Sequence, residues 1–169
     1  CERILEAADL GGTQWTVLRP CHIYGPGSKL GCLPLHGRDD EILARIHRGE
    51  TLKLVGGGCF LQQPILARDL SVLLLSLAGN EATYGRIFSA AGPDIIESRT
   101  YYDEIARVLG VEPAPIEELS VQAHLAENPV AAPFMCHRIY SRKQLQESGS
   151  KAPETPFAQG IEEHVRSLV

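Results

Sequence analysis

The sequence has no apolar run long enough to cross a bilayer; its most apolar stretch, Leu70 to Ala78, falls well short of the roughly 20 residues that a spanning helix needs. It also has no run of Lys and Arg, and a formal charge of −5 leaves no basic surface on average to neutralise a row of phosphates, which argues against nucleic acid as a partner. The cysteines Cys1, Cys21, Cys32, Cys59 and Cys136 are odd in number and include no CxxC pair, so neither a disulfide framework nor a zinc site is encoded. They are expected to be reduced and mostly buried. His36, His47, His124, His137 and His164 are scattered without HExxH pairing and carry no assigned chemistry, and no metal site is expected. Cys1 is not followed by the apolar core and small-residue cleavage site of a signal peptide. Together these absences predict a cytoplasmic protein with neither a membrane nor a nucleic-acid partner.

What is present is ordinary for a folded chain: 169 residues, of which 44% are hydrophobic and 22% charged. That length suits one core, since a domain takes roughly 100 to 200 residues, and no repeat, linker or low-complexity tract divides it. Residues 1–169 are expected to form a single compact unit.

Secondary structure alternates along the chain. A helix already under way at Cys1 carries Ile4, Leu5 and Ala8 on one face and stops at Gly11 and Gly12. Trp15 to Leu18 reads as a buried strand ended by Arg19 and Pro20, followed by a Gly and Pro loop through Gly31. Asp39 is placed to cap a helix bearing Ile42, Leu43 and Ile46, with Gly49 at its stop. Leu52 to Val55 and Gln62 to Leu66 read as extended, separated by a tight loop at Gly56 to Gly58. Asp69 is expected to cap a helix through Leu70, Leu73, Leu74 and Leu77 that lies centrally in the core and closes at Gly79. Arg86 to Ala90 reads as a strand, and Ser98 as the cap of a helix with Tyr102, Ile105, Ala106 and Leu109 that ends at Gly110. Pro113 to Ile116 is expected to be extended, Ser120 to Glu127 a short helix, and Arg138 to Tyr140 another short extended piece. Thr155 as cap and Pro156 at the first helical position would open a last helix, with Phe157, Ile161, Val165 and Leu168 on one face. Such βα alternation predicts an α/β fold with a partly parallel sheet, in which residues 15–19 and 86–90 are members.

The stretch WTVLRPCHIYGPGS, Trp15 to Ser28, resembles the strand and loop after the catalytic helix of extended short-chain dehydrogenases of the NAD-dependent epimerase/dehydratase family. The likeness continues through the Ala67-Arg68-Asp69-Leu70 helix start, GRIFSAAGPDIIESRTYYDEIARVLG, and YSRKQLQESGSKAPETPFAQGIEEHV. It implies the C-terminal half of such an enzyme: the last strands of a Rossmann-like parallel sheet plus a small substrate-binding α/β subdomain. Two features on which the family's hydride chemistry rests do not occur here, namely a glycine-rich turn opening a helix to hold a pyrophosphate and a Tyr with Lys four residues later. The resemblance therefore implies that NAD or NADP belongs to a longer protein, that this chain alone binds neither, and that no catalytic residue lies within it.

The resemblance also implies site residues. Pro20 and Cys21 match positions where the family's backbone passes the nicotinamide, and His22 a polar side chain that contacts substrate. Gln62 stands where the family carries an Arg that grips a nucleotide-sugar diphosphate, and a neutral amide cannot supply that charge. Arg138 falls near a second phosphate-binding Arg. The implied partner is a small substrate, a sugar, nucleotide-sugar or related alcohol. The other class of reading is a non-enzymatic, cofactor-free module that self-associates as a homodimer through apolar surface around the Trp15 to Leu18 strand.

Overall fold

A computed structural model describes residues 2–169, so the helix start expected at Cys1 lies outside the described residues. In chain order the helices are α1 (Glu2–Ala7), α2 (Ile42–His47), α3 (Ala67–Leu77), α4 (Ser98–Leu109), α5 (Val121–Glu127), α6 (Lys143–Glu147) and α7 (Phe157–Arg166). The strands are β1 (Thr16–Pro20), β2 (Ile23–Tyr24), β3 (Leu52–Val55), β4 (Leu61–Gln62), β5 (Ile65–Leu66), β6 (Arg86–Ala90), β7 (Ile96–Glu97) and β8 (Ile116–Leu119). Three strand pairs are parallel, β1 with β6, β2 with β5 and β3 with β8, while β4 pairs antiparallel with β7. The expected α/β class with parallel pairing is what forms.

The β1–β6 pair runs in register from Thr16 beside Arg86 to Pro20 beside Ala90, and the Cys21 N–H donates to the Ala90 carbonyl just past its end. Two apolar clusters result. One joins Phe88, Ala90, Leu73, Leu77, Leu145 and Ile65; the other joins Tyr24, Leu66, Ile42, Ile46, Tyr101, Ile105, Phe157, Ile161 and Val165. Ile65 and Leu66 are adjacent on β5, and the alternation of side chains along a strand sends one into each cluster. The short β5 therefore joins the two cores.

The glycine stops form as expected: Gly49, Gly79 and Gly110 take positive φ of 66°, 75° and 70°, which a residue without Cβ adopts freely. Ser120 caps α5 by accepting from the Ala123 N–H. Three expected caps, at Asp69, Ser98 and Thr155, do not form, because tertiary partners claim those side chains. Asp69 sits inside the first turn of α3, and its carboxylate instead accepts from Thr155 Oγ1 and from the backbone N–H groups of Glu154 and Thr155. Ser98 is the first helical residue of α4 and donates to the Phe60 carbonyl. Thr155 does not cap α7; the free Phe157 N–H is met by Asp94 at 2.6 Å. Asp39 lies three residues before α2 and its carboxylate accepts from the N–H of Glu41, the residue that precedes the helix. The extended piece expected at Pro113 to Ile116 lies further along, at Ile116–Leu119. The α3 helix is not wholly internal: Leu73 and Leu77 are buried, but Val72, Leu74 and Leu75 are exposed. Leu168, expected on the inner face of α7, is also exposed.

Tyr24 joins the loop after β1 to α7. Its ring packs edge-on against Phe157, and it fits only because residue 160 is glycine; a Cβ there would lie 2.3 Å from the Tyr24 hydroxyl oxygen. A Gly160→Ala substitution is expected to cost about 2 kcal/mol by overpacking and to lower Tm by roughly 4 to 8 °C. Adding Tyr24→Phe, which removes the clashing oxygen, should restore part of that loss in the same thermal melts.

Candidate functional site

A parallel pair of strands leaves a crevice beyond its C-terminal ends, where loops diverge. Here the loop after β1 diverges from the segment between β4 and β5, and a cleft of about 1070 Å³ lies between them. Pro20, Cys21, His22, Gln62 and Arg138 all border it. So do Gln63, Ser28 and Lys29, which sequence reasoning did not single out.

Gln62 and Gln63 are both buried within the extended segment. The Gln63 side chain donates to the Gly92 carbonyl at 3.0 Å and accepts from the Tyr140 N–H at 2.8 Å, and its backbone carbonyl accepts from the Cys21 thiol at 2.6 Å. The Gln62 Nε2 donates to Cys32 Sγ at 2.5 Å and to Ser98 Oγ at 2.6 Å. These bonds fix its orientation and leave Oε1 buried without a hydrogen-bond partner. Gln62 is thus held by the protein more than it is offered to the cleft.

The polar contents of the cleft are mostly neutral. His22 stacks on Tyr101 with ring centroids 5.4 Å apart. Burial lowers the His22 pKa to about 4, the nearby Arg138 charge acts in the same direction, and the Gln62 amide and Gly31 backbone oppose. Burial also pushes the Cys21 and Cys32 thiols up to about 11, so neither is a thiolate nucleophile near neutral pH. Cys59, expected to be buried, is exposed, as is Cys136. Lys29 is tied to Asp40 at 2.5 Å. Arg138 differs from it: its backbone N–H donates to the Leu61 carbonyl, fixing it beside Gln62, and its guanidinium lies over the Phe134 ring at 5.5 Å. Its Nε is buried without a partner, and among the described residues no carboxylate pairs with it. Among the same residues no group of three His, Cys, Asp or Glu side chains is placed to hold a metal, and no helix is long and apolar enough to cross a membrane.

No protein-family model matches the sequence. The chain is 27% identical over 96 residues to the chloroplast stem-loop binding protein of 41 kDa b of Arabidopsis thaliana, a match that covers 57% of this chain and 23% of that protein. Among solved structures it is similar to a UDP-N-acetylglucosamine 4-epimerase of Methanobrevibacter ruminantium in complex with UDP-N-acetylmuramic acid, with TM-score 0.75 and 18% identity, over 99% of this chain and 50% of that one. It is likewise similar to a UDP-glucose 4-epimerase of Thermotoga maritima with UDP-glucose, with TM-score 0.73 and 20% identity over 99% and 50% of the two chains. A third is a dTDP-glucose 4,6-dehydratase of Bacillus anthracis in complex with NAD, with TM-score 0.65 and 18% identity over 90% and 43%. The chain therefore has the fold found in NAD-dependent epimerases and dehydratases, and it spans about half the length of those chains.

Because His22 has its pKa lowered on folding, the unfolded chain binds a proton more readily, and stability present above about pH 6.5 is lost as pH falls toward 4. Denaturant unfolding at pH 7.5 and pH 5 should show a loss on the order of 1 to 2 kcal/mol attributable to this group. A His22→Asn variant should flatten that part of the profile.

Proposed function

We propose that this chain forms the substrate side of an NAD(P)-dependent epimerase/dehydratase-like oxidoreductase, acting on a sugar, nucleotide-sugar or related alcohol. The observation that carries this reading is the convergence of Pro20, Cys21, His22, Gln62 and Arg138 on one cleft at the C-terminal end of a parallel strand pair.

A bound nicotinamide would supply the hydride acceptor for oxidising an alcohol carbon. The residues present fit one edge of such a group, where Pro20 and Cys21 border the cleft with the Cys21 N–H already committed to Ala90. They do not include a glycine-rich helix start to cradle a pyrophosphate, since Gly56 to Gly58 lead into β4 rather than a helix. Arg138 offers a guanidinium with no acidic partner to an anionic group of the substrate. His22, neutral at physiological pH, offers a hydroxyl either an N–H or a lone pair. Gln62 cannot supply the charge of a guanidinium at its own position, so a diphosphate would depend on Arg138 and on Arg38, which also borders the cleft. The chloroplast relative is by name a stem-loop binding protein, but the net charge of −5 supports a small ligand over a nucleic-acid backbone for this chain. A second copy is the partner suited to the exposed outer face of α3, and sedimentation velocity showing a monomer at all concentrations would remove that element.

By calorimetry, NAD or NADP added to this chain alone should give no saturable heat, and tight stoichiometric binding would overturn the division of labour proposed. UDP-glucose should raise Tm, with the rise lost in Arg138→Ala. The same rise in that variant would show that the guanidinium is not the anchor.

A further inference from the structure

His164 lies on the inner face of α7, fully buried, and it does not border the cleft. Its ring nitrogens are nonetheless both used by the loop that does. The Gly25 N–H donates to Nδ1 at 3.2 Å, and Nε2 donates to the Ser28 carbonyl at 2.9 Å. Ser28 Oγ closes the same turn by donating to the Gly25 carbonyl at 2.8 Å. Since Nδ1 accepts, it carries no hydrogen; the arrangement is met by one state alone, the neutral imidazole with its proton on Nε2. Gly27, Ser28, Lys29 and Gly31 of this loop line the cleft.

We infer that His164 is a positioning residue and a proton-sensitive latch, holding the cleft wall from Gly25 to Gly31 in place when neutral and releasing it when protonated. An imidazolium would turn an N–H toward the Gly25 N–H, so a buried donor would lose its acceptor while a charge appears inside the core. The latch acts on the shape of the cleft whatever ligand occupies it, and so stands apart from the assignment of substrate.

The surroundings favour the neutral state. The titratable groups facing the ring are Tyr24, whose ring centroid lies 6.5 Å away, and His22, itself neutral and close enough for their charges to oppose one another. The acids of α7 face outward in ion pairs, Glu163 with Arg68 of α3 and Glu162 with Arg166 and with Arg107 of α4. Asp69 and Asp94 are spent on Thr155 and Phe157 at the start of α7. Burial lowers the His164 pKa from its ordinary value, against a smaller opposing contribution from the Ser28 carbonyl. Release therefore occurs on the acid side of about pH 6.5.

The test is amide exchange by NMR on the whole chain, corrected for intrinsic rates, between pH 7.5 and the acid limit of the folded protein. Protection at Gly25 should fall about tenfold for each unit by which pH drops from about 6.5 toward the His164 midpoint and level off below it, and the Gly25 amide shift should share its midpoint with the His164 Cε1 proton. In His164→Gln, whose amide can accept and donate without titrating, protection should persist across the range. In His164→Phe it should be lost at every pH. Protection at Gly25 that stays level in the wild type, a Gly25 midpoint that differs from that of His164, or an unchanged pH dependence in His164→Gln would each overturn the inference. The shared-midpoint measurement needs no variant to fold.

Discussion

The cleft depends on two adjacent buried amides. Gln62 and Gln63 lie on a stretch only six residues long, between Leu61 and Leu66, yet their backbone and side chains bond to the Cys32 loop, the start of α4, the turn after β6, the loop after β1 and the segment at Tyr140. Burying an amide without partners costs roughly 1 to 3 kcal/mol, so each bond is strongly preferred to its absence, and five segments of chain are drawn to one place. Apolar packing alone would bring these segments near one another; the directional bonds decide which side chains border the opening.

A second consequence is electrostatic. The hydrogen bonds that build the cleft are made mostly by neutral groups, and burial keeps His22 uncharged and the thiols of Cys21 and Cys32 protonated. Against that background the Arg138 guanidinium, stacked on Phe134 and without a carboxylate partner, is a charge available to a ligand, as is Arg38, which also borders the cleft. A low-dielectric wall strengthens its attraction to an anion relative to bulk water. The same wall makes a second buried charge costly, which is the physical reason His22 and His164 are both held neutral.

Much of this was legible in the sequence where the signal is local. The strand Arg86–Ala90 and the helices after Glu97 and Pro156 follow from apolar periodicity and glycine stops. The helix caps were misread because Asp69, Ser98 and Thr155 have the right chemistry at the right place, but tertiary partners outbid the local backbone. Asp94 caps α7 from 63 residues away, which no local pattern can show. Leu74 was expected inside, but the contacts of α3 follow Leu73 and Leu77 and leave its neighbour in solvent. Within the candidate site, His22, Gln62 and Arg138 entered through a family resemblance, and the structure brings them to one opening. Gln63 was passed over, although a polar pair inside an otherwise apolar extended segment is itself a sign of buried bonding. His164 was missed because a helical wheel scores it as polar, while its spacing from Phe157 and Ile161 sets it on the inner face.

The central claim is that one opening, walled by the loop after β1, the glutamine pair and Arg138, receives a small anionic or hydroxyl-bearing ligand. Amide NMR mapping with UDP-glucose tests it most directly. Perturbations should concentrate at Cys21 to Ser28, Gln62, Gln63 and Arg138, and should disappear when Arg138 is replaced by Ala. Perturbations centred instead on the outer face of α3, or none at ligand concentrations in the millimolar range of weak binding, would contradict it.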